Sequence, residues 1–210
     1  MGVRLLVAEN QPISRAGVVR MLAGTEIEVA GQAMDCDGAV LAALTDAPDV
    51  VLLDVALPGP DGFTALRRIR HERPALPVLM YSESDELNDL AQALQSGAQG
   101  YLSKSVARAE FLRAIHAAAA GEPVWTRPQL RRAVKKSKLA LSALSHDVPL
   151  TEREQQVLRR LPQGDVNEAI ATQLGIDVET VKQHVKRILK KIGVGDRTQA
   201  ALWAIRNGLD

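Results

Sequence analysis

Four short apolar runs, each closed by a polar residue, constrain this chain more than any other feature. Leu5-Leu6-Val7-Ala8 stops at Glu9-Asn10, and Val50-Val51-Leu52-Leu53 stops at Asp54. Val78-Leu79-Met80-Tyr81 stops at Ser82, and Gly100-Tyr101-Leu102-Ser103 stops at Lys104. Runs this short and continuously apolar suit strands buried on both faces of a parallel sheet. Between them, Leu87, Leu90, Ala91 and Leu94 recur at helical spacing, as do Phe111, Ile115 and Ala118. Strands are expected at 3–8, 27–32, 50–54, 78–82 and 99–102, with helices near 12–22, 37–46, 62–71, 85–96 and 107–120. Alternation of this kind implies an α/β fold, a doubly wound, five-stranded parallel sheet. Such sheets bind ligands beyond the carboxyl ends of their strands. Glu9, Asn10, Asp54, Ser82 and Lys104 should therefore converge on one spot. Two acid or amide positions, a carboxylate, a hydroxyl and an ammonium suit an aspartyl phosphate beside a divalent cation.

Residues 149–210 show no strand pattern. Thr151-x-x-Glu154 reads as a capping box, and Asp165-x-x-Glu168 and Asp196-x-x-Gln199 have similar capping logic. Gly164, Gly175 and Gly193 sit where helices should stop. Four helices are expected, near 151–162, 166–174, 178–192 and 197–207, with Pro162 shortening the first. The turn Gly175-Ile176-Asp177 between the second and third makes a helix-turn-helix connection. The chain's 210 residues are enough for two small domains. The expected division is 1–121 for the front domain, 122–148 for a linker and 149–210 for the all-α rear domain. Gly121 and Pro123 should end the last front helix, Arg131 to Leu144 is basic and able to be helical, and Ser145-His146-Asp147-Val148-Pro149 reads as loose connection.

Charge divides along the same lines. The front domain has ten Lys/Arg against fifteen Asp/Glu, the linker six against two, and the rear domain ten against eight. An acidic front and a basic rear point to nucleic acid only for the rear. The single Cys36 excludes an internal disulfide and suits a reducing compartment. No stretch approaches the roughly 18–20 apolar residues of a membrane span, so the expectation is a cytoplasmic protein with no membrane partner. In the third rear helix, Val181, Val185, Ile188, Leu189 and Ile192 form one stripe. The opposite face carries Glu179, Lys182, Gln183, Lys186, Arg187 and Lys190. A major groove admits one helix, in which Lys reads guanine and Gln reads adenine.

The segments LLVAEN, VVLLDVALPGPDGFTALRRIR, PVLMYSES and GAQGYLSKS resemble a response-regulator receiver domain. The segment LTEREQQVLRRLPQGDVNEAIATQLGIDVETVKQHVKRILKKIGVGDRTQAA resembles a LuxR-type helix-turn-helix domain. Both in this order resemble the NarL/FixJ family of two-component transcription regulators. The resemblance implies that Asp54 is the phosphoacceptor, assisted by Ser82 and Lys104, with Tyr101 the aromatic that turns inward. It implies a Mg²⁺ site at Glu9, Asn10, Asp54 and the main-chain carbonyl of Ala56. Where the family usually has two aspartates, Glu9-Asn10 supplies one charge fewer, which should weaken Mg²⁺. It implies base contacts from Lys182, Gln183 and Lys186 and phosphate contacts from Thr180, Arg187 and Lys190. The implied partners are double-stranded DNA, a sensor histidine kinase and a second copy of the chain, at least when active.

Three functions remain open from the residues. The first is a sequence-specific transcription regulator switched by phosphorylation of Asp54. The second, motivated by Asn10, is an atypical regulator that binds DNA without phosphate and answers to a partner or ligand. The third, motivated by Glu168 and the modest charge of the rear domain, is a phosphate sink or protein-interaction module. An aspartyl-phosphate phosphatase would want an acid where Ala56 stands, so the chain is not expected to be an enzyme.

Overall fold

The structure is a computed structural model that describes residues 2–122, 124–138 and 148–209. Five strands, β1 (Val3–Ala8), β2 (Ile27–Ala33), β3 (Val50–Asp54), β4 (Val78–Ser82) and β5 (Gly100–Ser103), form one sheet in the order β2-β1-β3-β4-β5. Every pairing is parallel. Helices α1 (Pro12–Leu22), α2 (Cys36–Thr45), α3 (Gly62–Glu72), α4 (Leu87–Gln95) and α5 (Arg108–Ala119) connect the strands and cover both faces. Two cores result. Leu6, Val51, Leu53, Val78 and Met80 face α2, α3 and α4, while Leu5, Val7, Leu52, Leu79 and Tyr81 face α1 and α5. Burial on both sides is the reason these strands read as continuous apolar runs.

Helix α6 (Arg127–Lys138) lies along α4. The helix expected from Arg131 begins four residues earlier; residues 139–144 lie outside the described residues, as do Ser145-His146-Asp147 and Pro123. Trp125, Leu130 and Ala133 are buried in the same core as Tyr101 and Leu94. The linker is thus docked on the front domain across α4 and β5.

The rear unit comprises α7 (Glu152–Leu158), α8 (Asn167–Leu174), α9 (Val178–Ile192) and α10 (Arg197–Arg206). Thr151 and Glu154 make the expected capping box. Pro162 sits in a separate three-residue 3-10 turn, Leu161–Gln163, so α7 stops short of the expected 162. The Asp165 expectation is overturned. Val166 occupies the N-cap of α8 with no side-chain cap. The Asp165 carboxylate instead takes Arg127 of the linker helix, and its carbonyl accepts from Arg197. Val181 and Ile188 are fully buried, with Val185, Leu189 and Ile192 packed against the same core.

Candidate phosphoacceptor pocket and DNA-binding face

The front pocket forms at the carboxyl ends of β1, β3 and β5, with β4 lying between β3 and β5. Glu9 follows the last residue of β1, Asp54 is the last residue of β3, and Lys104 follows β5. Lys104 Nζ lies 2.7 Å from Glu9 Oε2 and 3.1 Å from Asp54 Oδ2. Both carboxylates are 1% exposed, so their charges have almost no water to stabilise them. Glu9 also accepts from Ser14 Oγ and Gln11 N–H, and Asp54 Oδ1 accepts from Ala56 N–H at 3.1 Å.

Burial alone would push the Glu9 carboxyl up, but the hydrogen bonds from Lys104, Ser14 and Gln11 together hold it below its usual range. Asp54 goes the other way. Its burial, added to by the Glu9 charge, outweighs Ala56 and Lys104 and raises it. Burial opposes the charged form of Lys104, yet the two carboxylates raise it and keep it an ammonium.

Asn10 Oδ1 is buried with no hydrogen-bond partner. Glu9, Asn10 and Asp54 offer oxygen donors only, which suits a hard cation such as Mg²⁺. The orphaned Asn10 oxygen is the atom such an ion would satisfy. Among the described residues there is no group of three or more His, Cys, Asp or Glu able to hold a metal ion; the pocket contains two carboxylates and an amide. Gly62 lets α3 start close against the end of β3, because a Cβ there would lie 2.1 Å from the Asp54 main-chain carbonyl oxygen.

Ser82 ends β4 and is nearly buried, its Oγ accepting from Ser84 N–H at 3.2 Å. It makes no side-chain hydrogen bond to Asp54 or Lys104; its carbonyl accepts from Lys104 N–H. Tyr101 is 1% exposed and already inward, donating its hydroxyl to the Ser84 carbonyl at 2.8 Å. Burial pushes that hydroxyl up to about 12. The inward ring has a cover that the sequence did not disclose. The Trp125 ring lies 6.3 Å away, centroid to centroid, and Gln129 donates to the Tyr101 carbonyl. Arg132 of α6 reaches Asp85 in the loop leading to α4, bonding both its carboxylate and its carbonyl.

On the rear unit, Lys182, Gln183, Lys186, Arg187 and Lys190 are all exposed on one side of α9. Thr180 departs from this set, for its hydroxyl and N–H both go to Asp177, the N-cap of α9. His184 is half-buried, with Nδ1 unpartnered.

A contact between the two units also escaped the sequence. Arg70 of α3 pairs with Asp196, the N-cap of α10, and both side chains are close to nine-tenths buried. Gln199 donates to the Leu94 carbonyl of α4, and Leu202 joins the front core at 2% exposure. A Cβ on Gly195 would meet the Pro74 carbonyl oxygen at 2.7 Å, which measures how closely the backbones approach. Nearby, Glu122 accepts from Asn167, and Arg197 lies 3.8 Å from Glu122. Arg70, Pro74 and Leu94 lie at or beyond the last turns of α3 and α4, at the end of the sheet opposite Asp54.

Residues 5–116 match the response regulator receiver domain family, and residues 148–204 match the bacterial regulatory proteins of the luxR family. The chain belongs to the NarL-like response regulators. The nitrate/nitrite response regulator protein NarL of Escherichia coli K12 is 34% identical over 204 residues, spanning 95% of this chain and 93% of its own length. The crystal structure of ChrA, a response regulator of a heme-sensing two-component system, superposes with a TM-score of 0.54 at 30% identity, covering 100% of this chain and 99% of ChrA. The receiver domain of PA1611 from Pseudomonas aeruginosa PAO1, solved with a magnesium ion in its active-site cleft, matches 57% of this chain and 99% of its own at 28% identity and a TM-score of 0.53. This response regulator is therefore a phosphorylation-controlled, DNA-binding transcription regulator. Its family is one of regulators rather than enzymes, and receivers of this family generally bind Mg²⁺. Among the described residues, no helix is long and apolar enough to cross a membrane.

Proposed function

We propose that Asp54 is the phosphoacceptor and that it controls the DNA-binding unit by breaking the contact between α10 and the receiver. The observation that carries this is the seat of Lys104, held between Glu9 and Asp54 at hydrogen-bond distance of both. An Asp54 oxygen attacks the phosphorus of a sensor kinase's phosphohistidine. The new P–O bond forms as the P–N bond breaks, and the leaving imidazole keeps the electron pair. Lys104 then turns from the carboxylates to a phosphoryl oxygen, and Ser82 exchanges Ser84 N–H for another. Glu9, Asn10, Asp54 and the Ala56 carbonyl would hold Mg²⁺, which would supply positive charge to the phosphoryl oxygens. Asn10 removes one ligand charge, so the ion binds more weakly than at a pair of aspartates.

Moving Ser82 disturbs the 82–86 loop, which holds both the Tyr101 hydroxyl and, through Asp85, the linker helix. Glu86 at the N-cap of α4 makes no side-chain cap bond, so this end of α4 is easy to remodel. The other end of α4 touches α10. Family resemblance makes α10 the surface of DNA-bound dimers, and here Gln199 and Leu202 are spent on the receiver. The α9 face stays exposed. The closed chain would thus be restrained in pairing, not in reaching the groove. Lys182, Gln183 and Lys186 would read bases, Arg187 and Lys190 would hold phosphate, and Thr180 would contribute through the cap of α9. The receiver would occupy 1–121, the linker 122–148 and the output domain 149–210, acting in the cytoplasm as a homodimer when active and without a membrane partner.

One observation favours a second reading. Arg132 and Gln129 of α6 already hold Asp85 and the Tyr101 carbonyl, so a partner or ligand that moves α6 could open the chain without phosphate. Intact mass after incubation with a small phosphodonor separates the two. The expected result is a Mg²⁺-dependent gain of one phosphoryl group that Asp54→Asn abolishes. A gain that persists in Asp54→Asn, or none at saturating Mg²⁺ and phosphodonor or with a kinase, would discard the first reading.

A further inference from the structure

Glu179 is an acid on the otherwise basic and amide face of α9. It is not the helix cap, because Asp177 already accepts from Thr180 N–H at 2.8 Å. An acid in the first turn complements the helix dipole, and that is its plain structural role. Its position says more. Lys182 and Gln183 follow at three and four residues, so the three side chains share one face. The Glu179 side chain is 69% exposed, with Lys182 Nζ at 3.7 Å and Gln183 Nε2 at 3.4 Å. Contacts this long and this wet give way readily to a better partner.

The N-terminal residues of a recognition helix are the ones that reach base edges. A carboxylate carried into the groove meets phosphates, which repel it, and base edges, most of which present acceptors. The cytosine N4 amino group is a donor in the major groove that a carboxylate can accept from. Adenine N6 lies beside the acceptor N7, a pair that Asn or Gln matches better. We propose that Glu179 is a specificity-determining residue that reads a cytosine in each half-site, with Lys182 released onto a neighbouring guanine. This rests on α9 being the recognition helix.

The test is selection from randomised duplexes with the phosphorylated full-length chain, in the wild type, Glu179→Gln and Glu179→Ala. Thermal unfolding would confirm that all three fold alike. The wild type is expected to select cytosine at one position per half-site by about 10- to 100-fold, in the range of one good base contact. Glu179→Gln should move that position toward adenine, and Glu179→Ala should flatten it, the guanine preference remaining in both. An unchanged consensus in both variants, with affinity raised equally for all sequences, would overturn the proposal and leave Glu179 as a source of phosphate repulsion. Salt-sensitive binding with no base preference in any of the three would overturn the α9 assignment itself.

Discussion

Lys104→Ala is expected to destabilise the receiver by roughly 3–5 kcal/mol at neutral pH, the usual consequence of removing one partner from a buried ion pair. Lys104 is 11% exposed and the two carboxylates 1%, so little water reaches the charges it pairs. The pH dependence gives the mechanism. In the wild type Glu9 lies below its ordinary value, and its contribution is present above that value and lost as pH falls through the lower, folded one. Asp54 is raised and acts oppositely: the folded state holds its proton longer, so this contribution is lost as pH rises through the raised value. Without the ammonium, burial raises both carboxyls. The variant should then lose stability steadily as pH climbs from about 4 toward neutrality, the ordinary carboxyl range being near 4. Urea unfolding at a series of pH values reads this directly. Equal stability of variant and wild type at pH 7 would show that the triad is not a paired buried charge cluster.

Arg70→Ala is expected to open the chain without any phosphoryl group. Asp196 is pushed up by burial against the pull of Arg70, and removing Arg70 leaves a buried carboxylate with no cation. The rear unit escapes this cost by leaving the receiver, where water can solvate Asp196 while it still caps α10 through Gln199 N–H. A bias of about 3 kcal/mol or more toward the open form shifts the equilibrium more than 100-fold. DNA affinity of the unphosphorylated variant should therefore rise at least about 10-fold, with faster proteolysis in the linker. Unchanged affinity together with an opened chain would mean that the α10 contact does not restrain dimerisation.

The sheet and pocket were legible because their signals are local. A strand buried on both faces leaves a run of apolar residues, and the residue that ends it is pinned at the ligand end of the sheet. Glu9, Asp54 and Lys104 could be placed together on that ground alone. What stayed hidden depends on pairs distant in sequence. Asp165 looks like a cap beside Glu168, but its carboxylate accepts from Arg127, 38 residues away, and its main-chain carbonyl accepts from Arg197, 32 residues away. Leu202 belongs to an apolar stretch of α10, and helical spacing does not say whether its partner is the rear core or the receiver. Tyr101 reads as a strand tyrosine, and its cover comes from Trp125, just ahead of α6. Trp125, a large apolar ring in a short connection, was the available sign that the linker docks.

DNA affinity measured with and without a small phosphodonor, on the wild type and on Asp54→Asn, tests the coupling of the two units most directly. The account predicts that phosphorylation strengthens binding to a two-half-site duplex and brings two chains onto it, while Asp54→Asn stays at the unphosphorylated level under both conditions. Binding by the wild type that is equal before and after one phosphoryl group is acquired would contradict it.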